Sequence, residues 1–89
     1  MLTLASSDVT NQVGAIGVSF AGNFLQVALS DGREISLPMD KVDWLDWLDQ
    51  ATPEQKSKWS LEPNGFAIYW DDLDNGIEIS HLLSMQALV

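Results

Sequence analysis

The stretch that decides the fold is Phe24-Leu25-Gln26-Val27-Ala28-Leu29-Ser30-Asp31-Gly32-Arg33-Glu34-Ile35-Ser36-Leu37. Leu25, Val27 and Leu29 alternate with Phe24, Gln26 and Ala28, so a strand over 24–30 turns the first set to one face and the second to the other. Asp31-Gly32 then signals a two-residue hairpin turn whose central residues both need positive φ. Ile35 and Leu37, set against Glu34 and Ser36, repeat the alternation in a short strand over 34–37. Upstream, residues 13–20 read as another strand, joined to 24–30 through Ala21-Gly22-Asn23. Three strands linked by two tight loops predict an antiparallel meander with one covered face.

Beyond Pro38 the composition shifts to acids, tryptophans and helix formers. Asp40 is placed to cap a helix over 41–50, with Asp43 at the favourable end of its dipole. At 100° per residue, Val42, Leu45 and Leu48 fall on one arc and Trp44 borders it. Asp40, Asp43, Asp46 and Asp49 take most of the rest, with Trp47 projecting among them. Thr52-Pro53-Glu54-Gln55 has the form of a second helix start: Thr52 as cap, Pro53 at the first helical position and Gln55 closing a capping box. That helix is expected to end near Ser60, before Pro63-Asn64-Gly65 turns the chain. Residues 66–70 read as a fourth strand, with Phe66, Ile68 and Trp70 opposite Ala67 and Tyr69. Residues 71–76 form an acidic turn region and 77–79 a brief extended piece. Ser80 then caps a terminal helical segment carrying Leu82, Leu83 and Leu88. The predicted class is α+β: a three-stranded antiparallel meander, two short helices, a fourth strand and a short C-terminal helical segment.

Composition bounds the function. At 89 residues the chain has room for one domain, expected over 13–89 with a polar N-terminal segment over 1–12. A chain of this size buries ~60–65% of its unfolded surface, enough for a modest core. Four Lys+Arg against thirteen Asp+Glu give a net charge of −9. A field of that sign repels phosphate, which argues against direct binding to nucleic acid or to an anionic membrane. The absence of Cys removes disulfides, thiolate metal sites and thiol nucleophiles together. No stretch approaches the ~18 apolar residues of a membrane span. The first dozen residues have neither the basic start nor the apolar block of a secretory signal, so a cytoplasmic setting is expected.

From Asp31 onward the order of motifs is distinctive. It runs Asp31-Gly32-Arg33, Pro38-Met39, Ala51-Thr52-Pro53-Glu54-Gln55, Trp59, Gly65, Ile68, Trp70, Leu73-Asp74 and Leu82-Leu83. With the strands before it, this pattern resembles a family of small bacterial proteins of unknown function over about residues 13–88. Relatives often carry His before the Trp of the fourth strand and Pro after it, where this chain has Tyr69 and Asp71. An acidic residue often follows their Leu-Asp, where this chain has Asn75-Gly76, and an Arg often stands in their first helix, where it has Trp47. The resemblance implies a small α+β domain, sometimes encoded beside a second small protein in a toxin–antitoxin-like pair. Some relatives append a helix-turn-helix, for which 89 residues leave no room, so their DNA binding is not expected here.

The residues that carry chemistry elsewhere give weak signals in this chain. With Gly76 at position 6 of a calcium loop, Asp71 and Asn75 fit, but Leu73 and Leu82 occupy ligand positions, so the EF-hand pattern fails and a solvated turn is expected. His81 is the one imidazole, with no Cys or second His to share a metal. Gly14 and Gly17 lie in a strand pattern with no helix behind them, unlike a phosphate-cradling loop. Neither a catalytic residue, a metal nor a cofactor is therefore expected.

What stands out is the segment 40–49. Asp40, Asp43, Asp46 and Asp49 read either as a solvated surface or as a docking edge that steers a basic partner. Most of the four Trp are expected in the core, since each offers a large apolar area. Trp47, and after it Trp44, are the candidates for an exposed anchor at an interface. The expected function is a non-enzymatic interaction module docking a small basic protein, antitoxin-like by resemblance. A nucleic-acid mimic or regulator without its own DNA-binding domain, a small ligand-binding domain, and a homodimer through Trp or a sheet edge are the competing readings.

Overall fold

A computed structural model describes residues 13–86. The segment 1–12 and Leu88 lie outside the described residues. The chain opens with β1 (Ala15–Ala21), β2 (Phe24–Leu29) and β3 (Glu34–Pro38), paired antiparallel in that order as the meander requires. Leu25, Val27, Leu29 and Ile35 are buried on one face. Gly22 takes the positive φ, 59°, of the first hairpin.

The second hairpin departs from expectation, because only Gly32 has positive φ. The Asp31 carboxylate accepts from the backbone N–H of Arg33 at 3.1 Å and from its Nε at 2.7 Å. That local bonding favours a longer loop in place of the two-residue turn. In β1 the register slips between Ala15 and Gly17, a bulge that leaves Ile16 65% exposed.

The regular helix expected over 41–50 does not form. Two 3₁₀ turns, Met39–Lys41 and Asp43–Leu45, flank an extended Val42, and only Asp46–Asp49 is α-helical (α1). Asp40 caps nothing; its side chain accepts from Asn23 Nδ2 in the first hairpin. Buried or half-buried apolar residues recur here at Met39, Val42, Leu45 and Leu48. A spacing of three matches the 3₁₀ repeat better than the 3.6 of an α-helix. Asp and Val are also weak helix formers.

Helix α2 (Pro53–Lys56) has the capping box read from Thr52 and Gln55, with both bonds made. It ends at Lys56 rather than near Ser60, and Trp59–Leu61 becomes a strand, β4. A second antiparallel sheet follows in the order β4, β5 (Ala67–Trp70), β6 (Asn75–Glu78), and the chain then enters α3 (Ile79–Gln86). Ser80 falls inside α3 and not at its cap. Phe66, expected inside the strand, sits before it in αR conformation, which takes its side chain out of the alternation.

Both sheets and α3 share one core. Val27 and Leu29 of the first sheet, Ile68 and Trp70 of the second, Leu45 and Leu48 between them and Leu82 of α3 belong to one buried cluster. Trp70 is fully buried, and its Nε1–H donates at 3.0 Å to the Lys56 carbonyl, one of the acceptors left free at the end of α2. The Lys56 ammonium in turn lies 6.0 Å from the Phe20 ring centroid, tying α2 to the first sheet. The seam between β1 and the turn before β5 is backbone on backbone. A Cβ on Gly14 would lie 2.3 Å from the Asn64 carbonyl oxygen, and one on Gly65 (φ 68°) 2.3 Å from that of Ala15. Only glycine permits both the approach and the positive φ.

Candidate functional site

Two acidic surfaces come out of this architecture. The first is the segment singled out from sequence. Asp40, Asp43 and Asp46 are exposed and Asp49 half-buried, and among the described residues none of the four meets a cation in an ion pair. The aromatic side chains beside them turn inward. Trp47 stands edge-on to Trp70, with ring centroids 5.6 Å apart at 72°, and Trp44 edge-on to His81 at 4.6 Å and 70°. Both are half-buried and packed against the core. Trp47 does not project among the acids as expected, because the chain there is not a continuous helix.

The second surface was missed from sequence. In the second sheet Ala67 pairs with Glu78 and Tyr69 with both Ser60 and Gly76. The N–H of Glu62 donates to the Ala67 carbonyl at 2.9 Å, so Glu62 continues the same row. Cross-strand partners share a face, so Ser60, Glu62, Ala67, Tyr69, Gly76 and Glu78 look outward while Ile68, Trp70 and Ile77 enter the core. The Tyr69 ring packs over the bare backbone of Gly76: a Cβ there would lie 2.9 Å from Tyr69 Cδ1. The Tyr69 hydroxyl donates to Asp74 Oδ1 at 2.6 Å, and Asp74 holds a left-handed φ of 49°. The bond to Asp74 raises the phenol's pKa above its ordinary 10.0, with desolvation and then the charges of Asp74, Asp71 and Glu62 adding. Asp31 shifts the other way: the Arg33 backbone N–H, then its side chain, lower that carboxyl below the usual 3.8.

At the end of this face, where β5 begins and α3 leaves β6, lies an open groove of about 570 Å³. Val13, Phe66, Ala67, Ile79 and Leu83 give it apolar walls, with Glu78 the one charged residue among those described. Phe66 is 42% exposed. The signal in the sequence was the alternation of 59–61, which a helix assignment running to about Ser60 hid; the extended piece read at 77–79 is in place as β6, one to two residues earlier.

The Ser84 hydroxyl donates to the His81 carbonyl at 2.8 Å and not to a ring nitrogen. Among the described residues no three His, Cys, Asp or Glu converge as metal ligands, and no helix is long and apolar enough to cross a membrane.

The fold recurs in solved structures. A protein of unknown function from Rhodospirillum rubrum, known from a crystal structure, is 18% identical, with a TM-score of 0.68 over 83% of this chain and 88% of that one. An uncharacterized protein from Chromobacterium violaceum, solved by NMR in solution, is 22% identical, with a TM-score of 0.67 over 93% of this chain and 79% of that one. Likeness at these identities is likeness of fold. No curated protein matches the chain. The protein family of unknown function DUF2442 matches residues 15–85, four-fifths of the sequence, and the chain belongs to that family.

Proposed function

We propose that this domain is a non-catalytic interaction module that docks a small basic protein, with Asp40, Asp43, Asp46 and Asp49 steering the encounter. The observation that carries this reading is charge left without a partner. Among the described residues only Asp31, Glu54 and Asp72 meet a cation, leaving Asp40, Asp43 and Asp46 exposed and unpaired along one short segment. Like charges held close repel, and a cationic partner relieves them while raising the association rate. Trp44 and Trp47, half-buried and packed against the core, brace that segment from beneath. By resemblance to small proteins encoded in toxin–antitoxin-like pairs, the partner is a toxin-like protein, met in the cytoplasm.

The test is a tagged bait in native lysate at low and high salt, beside a bait in which the four aspartates are replaced by asparagine. A small basic protein held at low salt, released at high salt and lost from the asparagine bait supports the reading. Recovery of the bait alone, or of a partner indifferent to both salt and the substitutions, contradicts it.

A further inference from the structure

The segment 39–49 supplies charge but turns its aromatic rings inward, so a docked partner needs apolar contact elsewhere. The outer face of the second sheet has both kinds of surface. Phe66 is exposed beside a groove walled by Val13, Ile79 and Leu83, and the volume of about 570 Å³ lies within the ~300–1,000 Å³ of ordinary binding clefts. Glu78 belongs to the groove, and Glu62 stands across Ala67 from it, two strand spacings or roughly 10 Å away. The chain's four Lys and Arg all lie elsewhere. Arg33 pairs with Asp31, Lys56 lies over Phe20, Lys58 pairs with Glu54 and Asp72, and Lys41 is in the segment after β3. Among the described residues, Glu78 in the groove wall and Glu62 across Ala67 therefore have no cation between them.

We infer that the groove beside Phe66, with Glu62 and Glu78 on the adjoining sheet face, seats an apolar segment of a basic protein partner whose Lys or Arg residues flank its apolar ones. This rests on the reading of the domain as a docking module and gives it a seat distinct from the steering segment. Charge complementarity chooses the occupant: an acidic or neutral apolar segment would leave both carboxylates uncompensated beside a desolvated surface.

The probe is a blocked octapeptide of four central Leu flanked on each side by two Lys, titrated at low salt into the full chain labelled with nitrogen-15. Two control peptides carry Ser in place of every Lys or every Leu. The proposal expects the amides of Ala67, Tyr69, Glu78 and Leu83 to move. It expects both controls to bind about tenfold more weakly, and Phe66→Ser and Glu78→Gln each to weaken the Lys–Leu peptide several-fold. Both substitutions are at exposed positions, and an unchanged amide spectrum elsewhere shows that each variant is folded. Movement confined to residues 40–49 overturns this seat while leaving the docking reading intact. Equal binding of the controls, or no binding at all, also overturns it. So do contacts in the free protein from residues 1–12, or from a second copy, to the Phe66 ring, because the groove would then be occupied already.

Discussion

The segment 39–49 and the outer face of the second sheet are both acidic, yet they dispose of apolar surface in opposite ways. In the first, apolar residues at every third position point into the core, Trp47 closes on Trp70, and the carboxylates stand over a filled interior. In the second, Ile68, Trp70 and Ile77 take the inner face, and the backbone kink at Phe66 leaves an aromatic ring and a groove outside. Charge density alone therefore does not mark a seat. In the proposed reading it marks a seat only where exposed apolar surface adjoins it, while acids over a packed interior act at longer range on encounter.

The largest expected effect bears on the inward turn. Trp70→Ala removes a fully buried indole, orphans the Lys56 carbonyl and deprives Trp47 of its neighbour, a loss of about 4 kcal/mol in denaturant unfolding. A loss under about 1 kcal/mol would break the description of that pair as core. Next is the seam that places Phe66. Gly65→Ala forces a Cβ toward the Ala15 carbonyl at positive φ and is expected to lower stability by about 3 kcal/mol. Trp47→Ala, at a half-buried ring, is expected to cost about 2 kcal/mol. A ring held out for a partner would leave the unfolding midpoint unchanged, which makes this the substitution that separates structural from docking use of Trp47.

The smallest effect concerns the charge on the second face. Phenolate absorbance should place the Tyr69 midpoint above 10, and Asp74→Asn should bring it down toward that value. Because the folded pKa is the higher one, Tyr69 contributes stability that is whole below the unfolded value near 10 and is lost as pH rises through the folded value. A midpoint at 10 in both proteins would remove the carboxylate field from the description of that face.

The two regions also differ in how readily they are read from sequence. The alternation of Leu25, Val27 and Leu29 has one structural meaning, burial on a single face of a strand, and the first sheet follows it to within a residue or two. The spacing of Val42, Leu45 and Leu48 fits both an α-helix and a run of 3₁₀ turns. The closer match is to the 3₁₀ repeat, and the Asp40 side chain, read as a cap, instead accepts from Asn23, 17 residues earlier in the chain. The capping box at Thr52 is local chemistry and is found as read, whereas the stop after Lys56 depends on β5, with which Trp59–Leu61 pairs. The acids of 40–49 were therefore legible as a charged segment. The groove was not, because it requires β4, β6 and the conformation of Phe66 together.

The most direct test of the division into steering and seating is kinetic, made on the basic partner retained by the bait. Association and dissociation rates would be compared for the unchanged domain, for the variant with Asp40, Asp43, Asp46 and Asp49 all replaced by Asn, and for Phe66→Ser with Glu78→Gln. The account predicts slower, less salt-sensitive association for the first variant with dissociation unchanged, and faster dissociation with unchanged association for the second. Dissociation governed by the aspartates and indifferent to Phe66 and Glu78 would contradict it.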